Sequence, residues 1–435
     1  MRAELRRWRG LTDLVVDLIA HTTGVVERSQ RSLVEPPLHA LRAIPELQDT
    51  ARVLELSWEV YATAAFRTVR GASRALGGLT GGGLSLLERA GLGADPEAPA
   101  PLRSDAIWSG PWWRDAVLGT LNGVLGDRLR DAENPLEIAM GLRHDGAELP
   151  LTPEALRAAL PDATGKVCLL VHGMCTTEWS WSLGAAASHG DPRATYGSLL
   201  ERDLGFTPLY LRYNSGLHVS DNGEQLSALL DALLAAYPRP VDELVLLGHS
   251  MGGLVARSAC LQAAAAQRPW LKRLSRVICL ATPHDGSPLE KLGNLTTSIL
   301  GAVALPATRI PAELANTRSA GLKDLRFGNV LRADWQGQDA DALLRDTRRA
   351  PPPLEVPLHC LAVSVTADPQ HPAGRLLGDF MVRVRSASGG AAAREGDTAE
   401  VLGGLDHYGV LNHPRVYAQI RAWCATGLRS SDCST

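Results

Sequence analysis

The stretch LVLLGHSMGGLVARSA, residues 244–259, decides how the rest of the chain reads. It contains G-x-S-x-G as Gly248-His249-Ser250-Met251-Gly252. In a chain with 42 glycines that pentad alone arises easily by accident. Here an unbroken apolar run leads straight into it, and a helical pattern leads straight out. That strand–turn–helix setting is what a nucleophile elbow demands. The turn is so tight that its serine takes a strained conformation, and only small residues fit two positions before and after it. The serine stands at a helix N-terminus, whose dipole favours developing negative charge. A glycine-rich helix start with a capping serine would explain the pentad but not the strand ahead of it.

Working outward, short apolar runs alternate with helical ones from Lys166 onward: KVCLLVHG, TPLYLRY, the helical EQLSALLDALLAAY, DELVLLGHS, a helix from Gly252, and RVICLATP. PLHCLAVSV and a closing helix, HPRVYAQIRAWC, come later. Apolar strands without polar alternation, separated by helices, predict a mostly parallel sheet with helices on both faces. Residues 286–357 interrupt this rhythm and end in Pro351-Pro352-Pro353, so an insertion able to carry a cap or lid is expected there.

Upstream, Leu11, Leu14, Val15, Leu18 and Ile19 recur with helical spacing, as do Leu47, Val53, Leu54, Trp58 and Tyr61. Glycine- and proline-rich sequence marks a linker near residues 77–105. The expected organisation is therefore a helical extension and linker over 1–105, then a catalytic domain over 106–435. A third helical region is expected over about 111–140, punctuated by Asn134-Pro135.

At 435 residues, 45% hydrophobic and 21% charged, the chain has material for a large core. A net charge of −3, with arginines scattered along the chain, argues against nucleic acid as a partner. Seven cysteines, several inside apolar runs, read as small buried hydrophobes, and no Cys/His spacing suits a metal. Neither a metal nor a cofactor is expected. The basic N-terminus is interrupted by Asp13 and Asp17, no cleavage site follows, and no apolar run reaches the ~20 residues of a membrane span. A cytoplasmic location is the default expectation. Arg2, Arg6, Arg7 and Arg9 beside an apolar helix face would suit anionic lipid, so peripheral membrane contact is a second reading.

A serine at its free pKa needs a base, and the base needs an acid to orient it. The chain order expected in this architecture is serine, acid, histidine. His407, in TAEVLGGLDHYGVL, follows a short apolar run just before the last helix and is the candidate base. His413 precedes a proline that opens a helix, His359 lies within a strand, and His284 and His371 are weaker candidates. For the acid, Asp379 and Asp368 both follow the strand PLHCLAVSV. Asp368 precedes Pro369 and is explained by turn chemistry, which favours Asp379, followed by an apolar pair and a strand-like run. An oxyanion hole would use the backbone N–H groups of Met251 and of Met174, the latter turned inward after Gly173. His172 reads as a core histidine satisfied by loop carbonyls.

With these residues in place the chain resembles a lipase-type α/β-hydrolase, nearest the bacterial relatives of the GPI-inositol-deacylase-like (PGAP1-like) group. The matching strings are LVHGMC, RYNSGLHVSDNG, LLGHSMGGLVARSA, LATPHDGSPLEKLG, LLGDFMVRVRSA and GLDHYGVLNHPRVYAQIRAW, within about residues 165–425. The resemblance implies a triad of Ser250, Asp379 and His407, oxyanion amides at Met174 and Met251, and a small-molecule or lipid ester as substrate. It departs at the acid, where such lipases read Asp-Gly and this chain has Phe380. The expected activity is hydrolysis of a carboxylic ester through an acyl-enzyme. Acyl transfer or thioester hydrolysis would use the same residues. A silent scaffold binding through its N-terminal helices is the alternative from another class.

Overall fold

The computed structural model describes residues 113–134, 136–287, 318–338, 354–389 and 397–425. The extension expected over 1–105 lies outside them, as do residues 288–317 and 339–353 of the insertion.

The described chain opens with helix α1, Trp113–Asp131, followed by the short strands β1 (Gly141–His144) and β2 (Ala147–Leu149). The helical region expected to run to about 140 thus stops at Asp131, turns and irregular chain follow it, and a hairpin turned at Asp145-Gly146 comes next. Both residues have positive φ, 48° and 77°, which an Asp-Gly turn accommodates. Next come α2 (Pro153–Ala159), β3 (Lys166–Val171), α3 (Ala185–His189), α4 (Tyr196–Leu204) and β4 (Thr207–Arg212). Helix α5 (Val219–Ala236), β5 (Glu243–His249), α6 (Met251–Ala265) and β6 (Leu274–Leu280) complete the centre. After them stand α7 (Ala320–Phe327), α8 (Arg332–Trp335), β7 (Leu358–Ser364), α9 (Pro372–Leu377), α10 (Val384–Ala387), β8 (Thr398–Gly403) and α11 (Pro414–Ala425).

The eight strands form one sheet in the order β2-β1-β4-β3-β5-β6-β7-β8. Across the sheet from β4 to β8 every pairing is parallel, and both antiparallel pairings, β2 with β1 and β1 with β4, involve β1. Alternate residues of the central strands feed two cores. Val167, Leu169, Leu244, Leu246 and Val277 pack with Leu226, Leu230 and Leu233 of α5 and Leu254 and Val255 of α6. Cys168, Leu170, Val245, Leu247 and Ile278 pack on the other face with Tyr196 and Leu200 of α4 and Ile420 and Trp423 of α11. A strand buried on both faces cannot alternate polar and apolar, which is why β3 and β5 read as continuous apolar runs. Cys168, Cys260, Cys279, Cys360 and Cys424 are buried free thiols, as their apolar surroundings predict.

Residues 318–338 of the insertion pack onto this body. Leu325 and Val330 join the core on the α5/α6 face. Gly321 N–H donates to Gly216 O at 2.9 Å, and Ser258 Oγ donates to Val330 O at 2.5 Å. The His218 ring stacks on Trp335 at 3.7 Å. A cavity of about 220 Å³ lies beside this contact, lined by His218, Asp324, Trp335 and Asp127, among others, and by none of the candidate catalytic residues. Among the described residues no helix is long and apolar enough to cross a membrane.

Candidate active site

Parallel strands place the connections after β3, β5, β7 and β8 at one edge of the sheet; Met174 and Ser250 lie on the first two, Met251 opens α6, and Asp379 and His407 lie on the connections after β7 and β8. Ser250 falls between β5 and α6 with φ 53° and ψ −124°. That left-handed backbone is costly for a residue with a Cβ and is held by its surroundings. Its N–H donates to Leu280 O of β6 at 2.8 Å. The glycines on either side are needed for close approach. A Cβ on Gly248 would stand 2.5 Å from Gly253 N, and one on Gly252 would stand 2.2 Å from Val171 O. The side chain of Ser250 is thus fixed at the mouth of α6. Met251 opens that helix, where first-turn N–H groups have no intrahelical acceptor.

His407 lies four residues beyond β8, and Asp379 lies in the turn after α9. The structure brings the two together: His407 Nδ1 is 2.7 Å from Asp379 Oδ2, with both side chains buried. The other carboxylate oxygen accepts from the N–H groups of Met381 and Val382 at 2.9 and 2.7 Å. Ser287 Oγ donates to Met381 O at 2.6 Å and ties this turn to the loop after β6. Phe380, the departure from Asp-Gly, sits at φ 78°. The turn keeps a backbone suited to glycine and forces an aromatic residue into it. The strand-like run expected after the acid is instead the short helix α10.

Asp368 is exposed, and its Oδ1 accepts from Gln370 N–H at 2.9 Å in a local turn. His371 caps α9 through Ala373 N–H, and His413 Nδ1 accepts from Arg415 N–H near the start of α11. His284 is buried against Arg257, at 2.8 Å. None of these is in the Asp379–His407 arrangement.

The loop after β3 lies against the serine. A Cβ on Gly173 would stand 3.2 Å from Ser250 Cβ and 3.1 Å from His249 Nδ1. The Gly173 carbonyl accepts from His172 Nδ1 at 2.8 Å and from Thr176 Oγ1 at 3.0 Å. In a planar trans peptide the C=O and the following N–H point in opposite directions, so the Met174 N–H is turned away from those two donors. Cys175, at φ 59°, donates its N–H to Ser215 Oγ at 3.1 Å. His172 Nε2 accepts from Tyr213 N–H at 3.4 Å. Burial pushes its pKa down to about 3, against the opposing pull of the bond to the Gly173 carbonyl, and Arg212 adds to the lowering. It is a neutral core histidine.

Two contributors escaped the sequence reading. Thr176 holds the Gly173 carbonyl, and His249 contacts His407 through Nε2, 3.0 Å from the His407 main-chain oxygen. Only the position of His249 inside the pentad hinted at a role, because its partner is 158 residues away.

A mostly parallel eight-stranded sheet with helices on both faces and a strained serine at a strand–helix turn is an α/β-hydrolase fold. Residues 162–341 match the family model of the PGAP1-like alpha/beta domain, and the chain resembles that lipase-type group. The match includes Ser250 and the 172–176 loop and ends before Asp379 and His407. Among solved structures, the mature Bacillus licheniformis lipase BlEst2 is similar at 17% identity and a TM-score of 0.37, over 59% of this chain and 91% of that one. The Legionella pneumophila phospholipase PlaB is similar at 17% identity and a TM-score of 0.37, over 60% of this chain and 59% of that one. The metagenomic carboxyl esterase MGS0156 is similar at 15% identity and a TM-score of 0.35, over 78% of this chain and 98% of that one. No curated protein matches the sequence.

Proposed function

We propose that the chain is a serine hydrolase of carboxylic esters, with Ser250 as nucleophile, His407 as general base and Asp379 as the acid that orients it. The observation that carries this reading is the buried 2.7 Å contact between His407 Nδ1 and Asp379 Oδ2, at the same sheet edge as the strained Ser250. A carboxylate only accepts, so Nδ1 carries the proton and Nε2 is left with a lone pair for the Ser250 hydroxyl. Ser250 Oγ attacks the ester carbonyl as His407 takes its proton. The N–H groups of Met251 and Met174 hold the negative oxygen of the tetrahedral intermediate. Collapse expels the alcohol, protonated by His407, and leaves an acyl-enzyme that water cleaves by the same steps.

The reading extends to acyl or lipid-like substrates on the apolar character of the insertion, whose LEKLGNLTTSILGAVALPATRI would suit an acyl pocket. The test is a p-nitrophenyl ester series of increasing acyl length on the wild type and Ser250→Ala. The variant should keep its fold and lose activity by several orders of magnitude, on the order of 10⁶ where such a loss is best characterised. Retention of more than about a hundredth of wild-type activity contradicts the assignment, since losing any triad member typically costs far more.

A further inference from the structure

His249, the residue before the serine, takes no part in the chemistry just proposed, yet it is 2% exposed. It sits between the loops that carry the other reacting groups. Its Nε2 is 3.0 Å from the main-chain oxygen of His407. A carbonyl oxygen only accepts, so Nε2 bears the proton and Nδ1 a lone pair. That lone pair is buried and has no hydrogen-bond partner among the described residues. Burial keeps the ring neutral and pulls its pKa down to about 3, and the neighbouring His407 adds to the effect. The ring centroid is 5.0 Å from that of His407, 6.0 Å from Tyr408 and 6.4 Å from Trp181.

For packing alone this is a poor choice of residue. A leucine would fill the space without desolvating an idle nitrogen, and a buried polar atom left unpaired is destabilising. What leucine could not do is donate to His407 O. Asp379 already fixes the imidazole of His407 from one side. The loop that carries it is also held at its β8 end through Gly404 N–H on Thr366 O and Leu405 N–H on Ser364 O, at 2.9 and 3.0 Å, and at its α11 end through Tyr196 Oη on Val410 O at 2.6 Å and Asn412 Nδ2 on Trp181 O. Those bonds attach it to β7 and the segment beyond, to α4 and to the segment after β3, but not to the elbow. We infer that His249 is a positioning residue: its Nε2–H ties the main chain of His407 to the nucleophile strand and so sets the distance between base and Ser250. Asp379 orients the ring and His249 places the backbone that bears it. The inference rests on the assignment of Ser250 and His407 made above.

The test uses His249→Gln, His249→Asn and His249→Leu in the full chain. A glutamine amide nitrogen reaches the place of Nε2, asparagine ends short of it, and leucine fills volume without a donor. For each, kcat and KM on a p-nitrophenyl ester, the rate of Ser250 labelling by a fluorophosphonate, and the melting temperature are measured. H249Q should keep kcat and labelling within about fivefold of wild type. H249N and H249L should lose about tenfold to a hundredfold in both, with KM changed by less than about threefold, as misplacement of a reacting group predicts. A packing role predicts the opposite order, with leucine better than glutamine. Wild-type kcat in H249N or H249L, or a loss in H249Q equal to that in H249N at matched melting temperatures, overturns the inference. Should H249L fail to fold, the glutamine–asparagine pair still decides. A wild type that does not label at Ser250 sinks the parent assignment and this one with it. Normal wild-type labelling with indifferent variants sinks only this one.

Discussion

Asp379 divides its two oxygens between two tasks: Oδ2 stands 2.7 Å from His407 Nδ1, while Oδ1 takes the N–H groups of Met381 and Val382. Asp379→Asn can keep the second task and not the first, because its amide would face Nδ1 as a donor and favour the other tautomer. We expect kcat/KM to fall by roughly 10³-fold or more, with little change in melting temperature. Asp368→Asn should stay within about twofold, as an exposed turn substitution does. Steady-state kinetics on both variants decide; a crippled Asp368→Asn beside a mild Asp379→Asn would reverse the choice of acid.

What could be read in the sequence was local. Ser250 announces itself because strand, turn and helix are contiguous, and β3 and β5 are continuous apolar runs of the kind a doubly covered sheet buries. Asp379 over Asp368 came from turn chemistry, and Asp368 does cap its own turn. The hairpin at 141–149 was missed because its strands are four and three residues long, too short for period-two patterning to show against helical neighbours. The helix Val384–Ala387 looked strand-like for a similar reason, since one turn carries no periodicity. His249 on His407 and Thr176 on Gly173 are side chain–backbone bonds, and nothing in a sequence marks a carbonyl as a partner.

Phe380 gives a test of strain at the acid turn. At φ 78° an L-residue bears a penalty of about 1–2 kcal/mol that glycine avoids. Glycine in turn costs about 0.5–1 kcal/mol in unfolded-state entropy and loses the half-buried ring. Phe380→Gly should therefore leave stability within about 1 kcal/mol of wild type and preserve activity. Phe380→Val, β-branched at the same φ, should lie at least about 1 kcal/mol below the glycine variant. Urea titration measures both. A valine variant as stable as the glycine one would mean that the turn relaxes to another backbone.

Burial of His172 and His249 predicts acid sensitivity. Both pKa values are pushed down to about 3 in the folded protein, from 6.5. Between those limits the unfolded chain binds protons that the folded one does not, so stability falls as the pH drops from about 6.5 towards 3. At about 1.4 kcal/mol per pH unit, each group accounts for about 2 kcal/mol lost by pH 5. His284 and His359, also lowered by burial, add to the decline. Urea midpoints should decline accordingly between pH 7 and pH 5, and less steeply in His249→Gln, which removes one of these groups. Equal slopes in the variant and wild type would show that His249 becomes protonated without unfolding.

The last prediction concerns the anchor of the insertion. Asp324 is 1% exposed. Its Oδ2 accepts from His218 Nδ1 and Val219 N–H, each at 2.9 Å, and its Oδ1 accepts from Asn329 Nδ2 at 2.8 Å. Val219 opens α5, so its N–H has no acceptor within the helix. Asp324→Ala strands that amide, a buried orphan that costs about 1–3 kcal/mol, and removes the bonds that Asp324 takes from His218 and Asn329. The variant should lose about 3–5 kcal/mol of stability, a large effect with a named cause. The loss should reach the site as well. Gly321 of α7 packs so closely that a Cβ there would stand 2.2 Å from Ser215 O and 3.0 Å from Met251 Cε. A loosened α7 relaxes the wall beside Met251 without touching Ser250, His407 or Asp379. Activity at low temperature should therefore fall by less than about tenfold, far short of the loss expected of Ser250→Ala under the proposed function. Urea denaturation and kinetics on Asp324→Ala measure the two effects. An unchanged urea midpoint would mean that residues 318–338 are tethered loosely and do not form a fixed part of the hydrolase body.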